Sequence, residues 1–146
     1  MVRTGDGSEE RDVGTEQNQN DGQGDRQRRS DVTRRAAILA NAAAGSADST
    51  VVARAESALG AAGSEVTRVD LDDAKALTAV DVPRLDRPVV AGGDGTLHRT
   101  IGALHSRRQL TPECPIGVLP LGTGNDLARG ARIPLDADAA IAVLIE

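Results

Sequence analysis

Two glycine-rich segments carry the residues best suited to chemistry. They are Gly92-Gly93-Asp94-Gly95-Thr96 and Gly122-Thr123-Gly124-Asn125-Asp126. Each follows a short apolar run, Pro88-Val89-Val90-Ala91 or Ile116-Gly117-Val118-Leu119, and each opens a stretch with helical spacing. Glycines at such a junction let the backbone approach a ligand closely. A helix start there offers unpaired N–H groups and a dipole that favours an anion, phosphate above all. Asp94 is the only carboxylate in the first segment. Beside phosphates an acid is repelled unless a cation or a transferable proton is present. It therefore suits a role in holding Mg2+, directly or through water, or in orienting a nucleophilic hydroxyl. The alternative is a tight turn in which Asp94 is a cap. Thr96 can cap the helix or meet a phosphate oxygen. The second segment adds the Thr123 hydroxyl, further N–H groups, and the amide–acid pair Asn125 and Asp126. Two such loops at one sheet edge would form one cleft for an anionic ligand.

Other chemistries fit poorly. There is no GxxxxGK[ST] phosphate loop and no complete GxGxxG dinucleotide fingerprint. His98 and His105 lie seven residues apart on the helix after the first loop. That spacing suits no metal pair, so no metal site built from protein ligands is expected. His98, in the first turn, is within reach of a ligand, and His105 belongs on the surface. The single cysteine, Cys114, excludes an internal disulfide and a cysteine-cluster metal site, and reads as a small half-buried side chain. The chain has no Phe, Tyr or Trp, so bases cannot stack on aromatic platforms. With 17 basic and 22 acidic residues the net charge is −5, the wrong sign for a nucleic-acid binder. No apolar run approaches the roughly 20 residues of a membrane span, and no signal-peptide region opens the chain. A cytoplasmic location is the expectation.

The elements that must position the two loops begin after residue 35. Residues 1–35 are polar, with seven arginines against eight acids, and read as a disordered tail. From residue 36 to 146 apolar runs alternate with helical spacing. Ala36-Ala37-Ile38-Leu39-Ala40 suits a strand buried on both faces. Asp48 or Ser49 is a candidate cap for a helix through Val52, Ala55 and Leu59, stopped at Gly60 or Gly63. Ser64 to Leu71 reads as a second strand and Asp72 to Val80 as a short helix. Pro88 to Ala91 is a third strand, followed by a helix along Leu97, Ile101 and Leu104. Ile116 to Leu119 is a fourth strand, Asn125 to Arg129 a helical turn, and Asp136 caps a final helix. The expectation is an α/β fold: a mainly parallel sheet of four or slightly more strands, with helices on both faces. In such sheets ligands bind beyond the carboxyl ends of the strands.

The paired motifs are familiar. Ala91-Gly92-Gly93-Asp94-Gly95-Thr96-Leu97 with Leu119-Pro120-Leu121-Gly122-Thr123-Gly124-Asn125-Asp126-Leu127-Ala128-Arg129 resembles the diacylglycerol kinase catalytic domain family, from about Ala36 to Glu146. NAD kinases and phosphofructokinases use versions of the first motif, but the pairing with the second marks the lipid-kinase branch. The resemblance implies the nucleotide-binding N-terminal domain of that superfamily. It implies ATP and Mg2+ as cofactors and transfer of the γ-phosphoryl group to a lipid hydroxyl. Gly92, Gly93, Gly95, Thr96, Leu97 and His98 would line the nucleotide, with Gly122, Thr123, Gly124, Asn125 and Asp126 facing them. Asn41 would sit beside it. Asp94 would be the catalytic residue, positioning Mg2+-ATP or the acceptor hydroxyl.

This chain departs from the family pattern at three places. The first loop is Asn41-Ala42-Ala43-Ala44-Gly45 where the family usually has Asn-Pro-x-Ser-Gly. Leu97-His98-Arg99 stands where the family has x-Asn-Glu, and Asp70 falls where it often has Thr. The family's second, β-rich domain is not expected within these 146 residues. The expected partners are therefore ATP, a lipid acceptor reached by peripheral membrane contact, and a C-terminal half or second copy that completes the cleft. Transfer by this chain alone is expected to be poor. The alternatives are a non-catalytic nucleotide-binding remnant or regulator and, more weakly, an NAD kinase-like phosphotransferase.

Overall fold

Residues Ala36 to Ala40 are all apolar, as a strand covered on both faces requires. In the computed structural model, which describes residues 33–42 and 45–146, they form most of β1 (Arg34–Ala40), and every one of the five is buried. The other strands are β2 (Ser64–Asp70), β3 (Arg87–Gly92) and β4 (Gly117–Pro120). All pairings are parallel, in the order β2-β1-β3-β4. The helices are α1 (Ser46–Ala61), α2 (Ala74–Ala79), α3 (Asp94–Ser106), α4 (Asp126–Gly130) and α5 (Ala137–Ile145).

Alternate residues of β1 face opposite layers. Ala36, Ile38 and Ala40 pack with Val52, Ala55 and Leu59 of α1 and with Ala140 and Ile141 of α5. Ala37 and Leu39 pack with Val69, Val82, Leu104 of α3 and Cys114. Helices therefore cover both faces, and the sheet has the expected α/β architecture. The register places Ala40 opposite Asp70 on one side and Ala91 on the other, with Ala91 opposite Leu119. All four carboxyl ends thus share one edge. After β1 the chain turns toward β2; after β2 it crosses back to β3. The order reverses between β1 and β3, and that switch point is where such sheets form a crevice.

Some boundaries differ from expectation. β1 begins at Arg34, not Ala36, because Arg34 and Arg35 pair with Ser64 and Glu65. Their exposed, charged side chains hide strand backbone from a hydropathy reading. The expected disorder of residues 1–32 lies outside the described residues. α1 starts at Ser46 behind Gly45, ahead of the Asp48 and Ser49 caps expected from composition. Asp72 to Val80 shortens to α2, capped by the Asp73 carboxylate on Lys75 and Ala76 N–H, and a 3-10 turn (Val82–Arg84) follows. The Asp136 cap is as expected, accepting from Ala139 N–H at 2.9 Å. Cys114 is buried rather than half-buried, its thiol pointing at the carbonyls of Val82 and Leu85. Burial pushes its pKa up, with the Asp86 charge adding to the effect.

Candidate functional site

Four of the five helix starts separate into two kinds. Asp73 and Asp136 cap α2 and α5 with their side chains. α1 and α3 begin at the glycines Gly45 and Gly93, with no side-chain cap among the described residues. These are the two helices that follow β1 and β3, the strands flanking the switch point. Among the described residues, neither N-cap supplies a side chain to the first-turn N–H groups.

α3 starts at Asp94, so Gly95 and Thr96 belong to its first turn and Thr96 is not the cap. Thr96 leans back over Gly92: a Cβ built on Gly92 would lie 2.6 Å from the Thr96 Cβ. Only glycine fits there. The second loop is held against the first by backbone. Leu121 N–H donates to the Gly92 carbonyl at 3.1 Å. A Cβ on Gly122 would lie 2.6 Å from the Gly93 Cα. Two glycines facing each other let the loops touch at main-chain distance, which no other residue pair would allow.

Asp94 ties the seam. Its Oδ2 accepts from Asp126 N–H at 2.9 Å and its Oδ1 from Leu127 N–H at 3.2 Å. The α3 carboxylate therefore caps α4, across 32 residues of sequence. The Asp126 N–H bond, then the Leu127 and Asn125 N–H groups, hold its pKa below the usual aspartate value against a smaller desolvation effect. Asp94 is thus a cap, as the alternative reading has it, but the helix it caps is not its own. Two of the N–H groups expected to be open in the second loop are already taken.

Asn125 is buried, with left-handed backbone (φ 53°, ψ 44°), a conformation asparagine tolerates better than most residues. Its side-chain oxygen accepts from Gly122 N–H at 3.0 Å and its amide donates to the Gly122 carbonyl. It shapes the loop from inside. Arg129 Nε donates to the Gly124 carbonyl at 2.9 Å and closes the loop's other side. Thr123 and Gly124 are exposed at its crest.

The remaining expected residues divide in two. A groove of about 370 Å3 runs beside the seam, walled by Leu97, Ile101 and Leu127 with Asp94, His98 and Asp126 on it. Leu127 is 54% exposed. His105 is exposed two turns along α3, away from this groove. Asn41 stands at the end of β1 beside a smaller cavity that includes Asp70. A groove of about 420 Å3 between β2 and α2 includes Arg35 and Leu85 and shares no residue with the glycine loops. Sequence reasoning missed the Asp94 cap on α4 and the Arg129 strut. Neither leaves a local signal, because each joins groups through backbone positions that any residue supplies. Among the described residues no cluster of three His, Cys, Asp or Glu side chains could hold a metal ion, and no helix is long and apolar enough to cross a membrane.

Fold and loops together define a parallel α/β domain whose two glycine-rich loops meet at the carboxyl edge of its sheet. The sequence pattern of the diacylglycerol kinase catalytic domain matches residues 35–146. The chain belongs to that family. It is 50% identical over 56 residues to a Pseudomonas aeruginosa protein named "Probable lipid kinase YegS-like", covering 38% of this chain and 18% of that protein. It is 56% identical over 48 residues to human diacylglycerol kinase iota, covering 33% of this chain and 4% of that protein. A diacylglycerol kinase structure from Bacillus anthracis superimposes with a TM-score of 0.62 at 22% identity, over 77% of this chain and 42% of that one. The chain thus spans under half the length of the relatives it matches.

Proposed function

We propose that this domain binds Mg2+-ATP at the β1–β3 switch point and serves transfer of the γ-phosphoryl group to a lipid hydroxyl of the diacylglycerol type. The observation that carries the reading is the seam itself: uncapped α1 and α3 starts flanking two loops in main-chain contact at Gly93 and Gly122. The backbone N–H groups of the α3 first turn bind phosphate oxygens, aided by the helix dipole. Thr123, at the loop crest, offers its hydroxyl to the same ligand. Gly92, Gly93, Gly95, Gly122 and Gly124 keep side chains out of the way, while Thr96 and Asn125 hold the loop shapes.

The residues present fit the cofactors. Mg2+ usually takes one or two carboxylates and completes its shell with water and phosphate, so Asp94 and Asp126 suffice without a three-residue cluster. When bound, Mg2+-ATP supplies the phosphoryl group and neutralises charge that would otherwise repel the acceptor. Asp94 is fixed by two backbone bonds, and a carboxylate with a lowered pKa is a weak base. Its role is to orient: each oxygen keeps a second lone pair for a hydroxyl or a cation. The groove of Leu97, Ile101 and Leu127 gives the acceptor's apolar part a place beside it, with His98 at the rim. Catalysis of this kind rests on positioning and charge stabilisation.

One observation favours a second reading, a nucleotide-binding module without catalysis: both Asp94 oxygens already have protein partners. Titration calorimetry with Mg2+-ATP, followed by an assay of ATP-dependent phosphorylation of dioctanoylglycerol, separates the two. Binding with transfer supports the kinase reading. Binding without transfer supports the module, and no binding removes both.

A further inference from the structure

A second pocket lies away from the glycine seam. It is the groove of about 420 Å3 between β2 and α2, which shares no residue with either glycine loop. That volume falls within the roughly 300–1,000 Å3 of small-molecule sites. The walls are apolar: Ala37 and Val69 of the sheet, Ala76 and Ala79 of α2, then Val80 and Leu85. Ala76 and Ala79 stand one turn apart on α2, and their short side chains leave the space open. Such a space suits an alkyl chain, because every methylene it takes from water adds to binding.

Charge at the rim says what the chain should carry. Arg84 is held by Asp81 at 3.0 Å and Arg68 by Glu56 at 3.4 Å. Arg35 differs. Asp86 takes up its main chain, accepting from the Arg35 N–H at 2.8 Å and donating its own N–H to the Arg35 carbonyl at 2.8 Å. The exposed Arg35 guanidinium has no hydrogen bond or ion pair among the described residues. Glu65 is level with Arg35 on β2 but neither pairs with it nor lines the groove. Asp81, the one carboxylate among the described residues that line the groove, is already matched by Arg84. An unmatched guanidinium beside apolar walls fits one anionic head on one apolar chain. A guanidinium meets a carboxylate through two parallel hydrogen bonds, and Thr67, exposed on the same groove, adds a hydroxyl. We propose that this groove binds a fatty carboxylate of medium length, its head on Arg35 and its chain between β2 and α2. The site is separate from the proposed nucleotide site and does not rest on it.

Calorimetry of the 146-residue chain with decanoate, octanoate and decyltrimethylammonium, each below its micelle concentration, tests it. Decanoate should bind one to one, and octanoate about tenfold more weakly for the two methylenes lost. Decyltrimethylammonium, with the opposite charge, should bind at least about tenfold more weakly than decanoate. Arg35→Gln keeps the main-chain bonds to Asp86 and should cost decanoate about tenfold, erasing its advantage over the cation. Ala79→Leu, at an exposed helix position, should fill the groove and block both carboxylates. Circular dichroism melts confirm that each variant folds, and Arg35→Gln decides the matter even where Ala79→Leu does not fold. Saturating Mg2+-ATP should leave decanoate binding unchanged; a failure of ATP to bind would remove the proposed function and leave this site standing. Absence of decanoate binding overturns the proposal, and so does binding that both variants leave unchanged, which would put the chain in the groove of Leu97, Ile101 and Leu127 instead. Association with phosphatidylglycerol vesicles but not with decanoate also overturns it, in favour of a membrane surface.

Discussion

Replacing Gly122 by alanine loads the contact on which the site depends. The added Cβ would lie 2.6 Å from the Gly93 Cα and 2.9 Å from the Asn125 side-chain oxygen. One neighbour is backbone and the other is locked to Gly122 by two hydrogen bonds, so neither can swing aside. Ordinary contact begins at 3.4 Å, so the seam must open by most of an ångström. The same opening would stretch the Asp94 bonds to Asp126 and Leu127, now 2.9 and 3.2 Å, past the ~3.2 Å limit of a good N–H···O bond. Forcing a methyl group into a close-packed site costs about 1–3 kcal/mol. For a domain of this size that lowers the melting temperature by about 4–12 °C. Without aromatic residues the chain has no intrinsic fluorescence to follow, so far-UV circular dichroism at pH 7 is the measurement. Mg2+-ATP affinity should fall as well, because the two loops no longer hold their spacing. A melting curve within about 1 °C of wild type, with ATP binding intact, would refute the idea of a rigid glycine seam.

Three further outcomes are expected. Gly95→Ala should raise stability by up to about 1 kcal/mol, since nothing lies within 4 Å of its Cβ in α3, yet weaken ATP binding by filling the cradle; the melt and the titration should move in opposite senses. Asp94→Asn should lower the melting temperature at pH 7, and the gap should close as pH falls below ~3.9, because a depressed folded pKa stabilises only above it; an unchanged gap at low pH would contradict the cap on α4. Leu127→Asp, at a position 54% exposed, should change stability by less than about 0.5 kcal/mol while raising the KM for dioctanoylglycerol more than that for ATP.

The sheet and its helices were legible because burial on both faces writes itself into the sequence. Ala36 to Ala40 and Val89 to Ala91 are apolar without interruption, and Val52, Ala55 and Leu59 repeat at helical spacing. Arg34 and Arg35 were misread because a strand's backbone bonds do not depend on the polarity of its exposed side chains. At the candidate site the glycines and Asp94 stood out by type and spacing. What Asp94 touches did not, since its partners are main-chain N–H groups brought near only when β3 and β4 pair. Asp70 was visible as a departure from the family pattern. Its bond to Ala42 and the oxygen of Asn41 left unpartnered among the described residues required the register of β1 against β2 to come into view.

The cross-loop cap also sets an order of assembly. A helix of five residues such as α4 cannot persist in isolation, because a helical nucleus is costly and few bonds repay it. Its first turn is anchored by a side chain from α3, so the loop must take its native form after that helix has docked, among the last parts of the domain to do so. In native-state hydrogen exchange the amides of Asp126 and Leu127 would then report an opening shallower than that of β1. The cleft proposed for phosphate would loosen and re-form many times without disturbing the sheet beneath it.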